Sequence, residues 1–193
     1  LTHGTEVHRC FEERVANGAV LPEHLEKFEP LVQALTAFPA VETLVEHEIG
    51  LTEALVPTAF RASDTWYRGI IDLGLIGQDK AILADYKSGK RRTDFTQLKL
   101  FAAATFIHRP EVQSIKMMYI WTKFGDGSKK APIRLYDAQD VTRSWTSEFW
   151  AAMLPRVSRM KYAFENDAYF EKPGPLCGWC YEKSCRYCPN KEG

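Results

Sequence analysis

Asp72, Asp85 and Lys87 lie in two apolar runs joined by the polar stretch Gly77-Gln78-Asp79-Lys80. A tight turn on Gln78-Asp79 pairs Gly77 with Lys80 and, counted onward, places Asp72 directly opposite Asp85. Side chains alternate along a strand, so Lys87 shares the face of Asp85, while Ile71, Leu73, Leu75, Ile82 and Ala84 form an apolar face. Three ionisable groups thereby converge in an otherwise apolar hairpin. Carboxylates buried side by side are costly unless a cation neutralises them, and oxygen ligands suit Mg²⁺ or Mn²⁺.

Asp85-Tyr86-Lys87 alone is an ordinary tripeptide, common on solvated strand edges. Its neighbours extend it. Near the N-terminus Gly4, His8 and Glu12 form Gly-x-x-x-His-x-x-x-Glu, and His8 and Glu12 share a face one helical turn apart. Gly69 precedes Asp72 as Gly-x-x-Asp. Gln97-Leu98-Lys99-Leu100-Phe101 begins ten residues after Lys87.

In order and spacing these motifs resemble the PD-(D/E)xK nuclease superfamily, in particular its RecB-like exonuclease branch, and are similar to CRISPR-associated RecB-like and AddB-type nucleases. The resemblance runs from Gly4 to Cys188. It implies a restriction-endonuclease-like α/β fold, with a mixed central sheet flanked by helices, and a metal-dependent DNA exonuclease acting on single strands or duplex ends in recombination, repair or phage DNA processing. His8, Asp72 and Asp85 are the implied ligands of Mg²⁺ or Mn²⁺. Lys87 would orient the attacking water or neutralise charge on the phosphorane, and Gln97 would position water or a phosphate. Glu12 is expected to support the His8 imidazole from behind. Glu46, chosen among Glu42, Glu46 and Glu48, is expected near the metal. The branch has a tyrosine where this chain has Phe101, so ring stacking on DNA is retained there without a hydroxyl. DNA is the implied substrate, with a helicase, recombinase or single-strand-binding protein as partner.

The spacing Cys177-x2-Cys180-x4-Cys185-x2-Cys188 supplies four soft ligands in one short segment, suited to structural Zn²⁺ or an iron–sulfur cluster. Related nucleases hold a [4Fe-4S] cluster with one N-terminal and three C-terminal cysteines. Cys10 could serve as the first, although it lies just past His8 where the family's cysteine precedes that helix. Reduced free thiols packed around Trp179 and Tyr181 are the plainer reading.

The chain of 193 residues has 25 Lys plus Arg and 25 Asp plus Glu, so any attraction to DNA must be local. One local patch is Lys87-Ser88-Gly89-Lys90-Arg91-Arg92, from which Lys90, Arg91 and Arg92 are candidate DNA contacts; Lys129-Lys130 is smaller. The clustering of cysteines argues for a reducing, cytoplasmic setting and against a disulfide scaffold. No apolar stretch reaches membrane-spanning length, and no membrane partner is expected.

The remaining pattern predicts a helix from about Gly4 to Ala16, another over Pro22 to Phe38, a strand over Val41 to Leu55, then the hairpin. A helix follows from Phe95 to His108, a strand from Val112 to Lys123, and a returning partner from Ala131 to Tyr136. Asp140 to Asp167 reads as one or two core-packed helices interrupted at Pro155. Residues 1–170 are expected to form the nuclease core and 171–193 a Cys-rich metal-binding tail. Two rival functions stand beside the exonuclease: a non-catalytic nucleic-acid or protein interaction module with a zinc-bound cysteine cluster, and a site- or structure-specific endonuclease on the same core.

Overall fold

The computed structural model describes residues 3–89, 91, 94–122, 135–169, 173–181 and 185. It divides into two compact units, Leu1–Trp150 and Ala151–Gly193. The second therefore takes in most of the last long helix as well as the cysteine segment.

The first unit begins with α1 (His3–Asn17), which ends at the left-handed Gly18 (φ 70). The expected second helix is two pieces, a 3-10 turn over Glu23–Phe28 and α2 (Glu29–Thr36). Pro30 explains the break: lacking an N–H, it suits a first helical turn and not a helix interior. Then come β1 (Glu42–Thr52), the two-residue β2 (Pro57–Thr58), β3 (Thr65–Ile76) and β4 (Lys80–Lys87). Helix α3 (Thr96–His108) crosses to β5 (Ser114–Trp121), and β6 (Tyr136–Thr142) closes the order.

These strands form one mixed six-stranded sheet in the order β2-β1-β3-β4-β5-β6. β1, β3 and β4 are an antiparallel meander, β5 runs parallel to β4, and β6 is antiparallel to β5. The hairpin register is the expected one. Gly77 N–H donates to Lys80 O, and Ile76, Leu75, Gly74 and Leu73 pair with Ala81, Ile82, Leu83 and Ala84. Among the described residues the strand partner is Tyr136–Thr142, which begins at the last residue of the expected 131–136 and takes in residues expected to open the following helix; residues 131–134 lie outside the described set.

Beneath α1 and α2 a core gathers Val7, Phe11, Phe28, Leu73, Leu75, Ala84, Tyr86 and Ile120, with Phe11 stacked on Tyr86 at 4.5 Å between centroids. Ile82 packs against this group, whereas Ile71 is buried outside it. Ile71, Leu73 and Leu75 are all buried, as the alternation predicts. α3 is buried nearly all round, through Leu98, Phe101, Ala102, Ala103, Ala104 and Phe106; its alanine run lets the helix approach its neighbours closely. At its end the Arg143 guanidinium donates to the carbonyls of Phe106, Arg109 and Val112, tying the helix to the start of β5.

α4 (Trp145–Glu165) is continuous through Pro155, not interrupted there. Trp150 is buried, but Tyr162 and Phe164 are exposed, so these two are not the core residues the spacing suggested. A short 3-10 turn, Pro175–Trp179, carries Cys177. Among the described residues no helix is long and apolar enough to cross a membrane.

Candidate metal centre

The meander register sets three acids in line. Val45 pairs with Leu73 and His47 with Ile71, which leaves Glu46 opposite Asp72; the hairpin count carries Asp72 opposite Asp85, and Asp85 pairs with Tyr119 on β5. The β3–β4 ladder stops at Leu73 and Ala84. Beyond it the Tyr86 N–H donates to Asp72 Oδ2 at 2.9 Å, so a carboxylate takes the place of a strand carbonyl. Glu46 has a left-handed backbone (φ 44), a conformation few non-glycine residues adopt.

α1 brings His8 to the same end of the sheet. Its Nε2 bonds the Tyr86 carbonyl at 2.9 Å, and a carbonyl can only accept, so in the neutral ring this nitrogen carries the proton. Nδ1 then presents a lone pair 3.5 Å from Asp72 Oδ2 and 3.8 Å from Glu46 Oε1. Among the described residues His8, Glu46 and Asp72 form a group whose potential ligand atoms all lie within 4.8 Å of one another. A lone pair facing two carboxylates is repulsive. A bound cation would relieve it, and one imidazole nitrogen with carboxylate oxygens is a donor set that suits Mn²⁺ or Mg²⁺.

Burial and the neighbouring Asp85 charge push the Asp72 carboxyl up to about 6, against the opposing pull of the Tyr86 N–H and His8. Burial raises Asp85 as well, with Lys87 pulling it back. Asp85 is only 2% exposed. Its Oδ1 accepts from Gln97 Nε2 at 2.9 Å, and Lys87 Nζ lies 2.7 Å from Oδ2. Lys87 also donates to Gln97 Oε1 at 2.9 Å. Asp85, Lys87 and Gln97 are therefore a closed set of contacts beside the His8 group. A cleft of about 550 Å³ opens over the group, lined by Gly4, Thr5, His8, Arg9, Glu12 and Glu46.

The structure thus brings together His8, Glu46, Asp72, Asp85, Lys87 and Gln97. It changes the expected division of labour. Glu46 joins His8 and Asp72 in the candidate ligand group, and Asp85 is engaged by Lys87 and Gln97. Glu12 is not the imidazole's support: His8 turns toward the sheet, where the Tyr86 main chain holds it, and Glu12 lines the cleft wall. Tyr86 could have been found from the register, since it is the next donor after the last rung.

Phe101 does not offer a ring for stacking. It is 6% exposed and lies against Gly69, where a Cβ would come within 2.6 Å of its ring. Gly69 is thus required for close approach of α3. Arg91 forms a solvent-exposed two-pronged pair with Asp137 on β6. Lys90 and Arg92, like Lys129 and Lys130, lie outside the described residues. Cys10 packs against the core beneath α1. Cys177, Cys180 and Cys185 are free thiols that do not form a three-ligand group among the described residues, and Cys188 lies outside them. The Gly174 N–H donates to Cys177 Sγ at 3.3 Å.

Comparison with known family models and with curated protein sequences finds no match for this chain.

Proposed function

We propose that this chain is a metal-dependent deoxyribonuclease of the PD-(D/E)xK type, hydrolysing phosphodiester bonds of single-stranded DNA or of duplex ends. The observation that carries this reading is the His8 Nδ1 lone pair turned onto Asp72 and Glu46, beside a lysine paired with a third carboxylate. Placement supports it too: Asp72 sits where the β3–β4 ladder ends, and Asp85-x-Lys87 closes β4.

His8, Glu46 and Asp72, with Asp85 adjoining, would hold Mg²⁺ or Mn²⁺. Bound there, such an ion polarises the scissile phosphate and lowers the pKa of an attacking water. The protein's own groups do the rest. The Tyr86 carbonyl fixes the imidazole tautomer. Lys87 is available to neutralise charge growing on the phosphate oxygens, and Gln97 aims its ammonium. The ammonium pairs directly with Asp85, and Gln97 braces that pair by accepting from Lys87 and donating to Asp85. In the second unit, Cys177, Cys180, Cys185 and Cys188 would hold Zn²⁺ or a [4Fe-4S] cluster, as their spacing suits four soft ligands.

The test uses the purified full chain with end-labelled single- and double-stranded DNA in Mn²⁺, beside covalently closed circles. Metal-dependent loss of linear DNA with circles intact supports the exonuclease. Cleaved circles make it an endonuclease, and binding without cleavage overturns the enzymatic reading.

A further inference from the structure

Lys87 has a third neighbour besides Asp85 and Gln97. Its Nζ stands 5.5 Å from the centroid of the Tyr119 ring, over its face. Tyr119 is the β5 residue in register with Asp85, it is 3% exposed, and two further aromatics wedge it: Phe95 at 4.9 Å and Trp121 at 5.6 Å between centroids. Trp121 is itself fixed, since its indole N–H donates to Asp137 Oδ2 at 2.8 Å. The ring under the lysine therefore cannot turn away.

We infer that Tyr119 is a positioning residue, whose ring face holds the Lys87 ammonium at the reacting phosphate; this rests on the nuclease reading for its catalytic consequence. The physical argument concerns charge. Glu46, Asp72 and Asp85 already gather at this end of the sheet, and a further carboxylate beneath Lys87 would bind it too tightly and compete for the metal. An aromatic face attracts a cation through its quadrupole without adding a formal charge. Lys87 can then exchange Asp85 for a phosphate oxygen while staying over the ring. The hydroxyl bonds the Leu98 main chain and takes no part in holding the ammonium, so phenylalanine should keep the contact.

The experiment compares Tyr119→Phe, Tyr119→Leu and Met117→Ala in Mn²⁺-dependent cleavage of labelled single-stranded DNA. Met117 is a fully buried control two residues earlier on β5. Tyr119→Phe should keep kcat within about twofold, and Tyr119→Leu should lower kcat about tenfold with KM little changed, as loss of one cation–π contact predicts. Met117→Ala should lower the melting temperature without this kcat loss. Equal kcat losses in Tyr119→Leu and Met117→Ala, or no rescue by phenylalanine, would overturn the inference. A second readout is independent of cleavage. The Lys87 ε-methylene NMR signals, assigned with Lys87→Arg, should be shifted upfield by the ring in the wild type and in Tyr119→Phe but not in Tyr119→Leu. An unshifted wild-type signal refutes the contact, whereas a shifted signal in a protein that cleaves nothing refutes only the nuclease reading.

Discussion

The main chain of Tyr86 holds both Asp72 and His8: its N–H donates to Asp72 Oδ2 and its carbonyl accepts from His8 Nε2, each at 2.9 Å. One residue of β4 thereby sets the separation of a carboxylate oxygen and an imidazole nitrogen of the proposed site, which come from different elements. Removing either ligand should affect the other's position little, because the tether is backbone.

Glu46 lies within the ligand group, whereas Asp85 is held by Lys87 and Gln97. Glu46→Gln should therefore weaken Mn²⁺ binding by about tenfold or more, a loss of about 1.4 kcal/mol or above, and Asp85→Asn should weaken it less. Isothermal titration of the two variants checks the order. The reverse order would restore Asp85 as the principal third ligand.

The raised Asp72 pKa makes the metal-free fold sensitive to pH. Its value of about 6 in the fold stands above its ordinary 3.8, so the folded protein favours the protonated acid. Stability from this group is present below its ordinary pKa of 3.8 and is lost as pH rises through about 6. That difference corresponds to at most about 3 kcal/mol. In chelator, Asp72→Asn should melt higher than wild type at about pH 8, and the gap should close near pH 4. Saturating Mn²⁺ at the higher pH should reverse the ranking, since only the wild type keeps the ligand.

Lys87→Met should abolish most cleavage while leaving Mn²⁺ affinity nearly intact. Loss of one preorganised charge at a developing oxyanion costs about 10²–10³ in kcat. Gln97→Leu frees Lys87 from one of its anchors and should cost less. Single-turnover rates with separately measured metal affinity distinguish the two; a collapse of metal binding in Lys87→Met would make the lysine structural.

Gly69→Ala should destabilise the first unit, because the added Cβ meets the Phe101 ring at 2.6 Å and the Tyr67 hydroxyl at 2.9 Å. Overpacking of this kind costs about 1–3 kcal/mol. Adding Phe101→Leu should recover part of the loss. Denaturant midpoints for the single and double variants measure the coupling, and additive losses would show that the helix simply shifts away.

The hairpin is legible in the sequence because a two-residue turn fixes every later pair, and so are α1 and α3, bounded by Gly18 and Pro110. The acids can be placed opposite each other for the same reason. The role of Glu46 cannot. Three acids compete on that strand, and the choice among them depends on a left-handed backbone that no glycine or asparagine announces. Phe101 departs from its expected stacking role because exposure is tertiary: Gly69 opens the space that buries its ring against β3. The position of β6 is hidden because Asp137, Gln139 and Asp140 leave this edge strand no apolar alternation to detect.

The unusual twist at Glu46 narrows what could ever replace it. A glycine would relax the chain there but offer no oxygen, and a β-branched residue would resist the twist. Asparagine and aspartate tolerate it best, yet their side chains are one methylene shorter. Reach and backbone tolerance together leave glutamate as a compromise at this position.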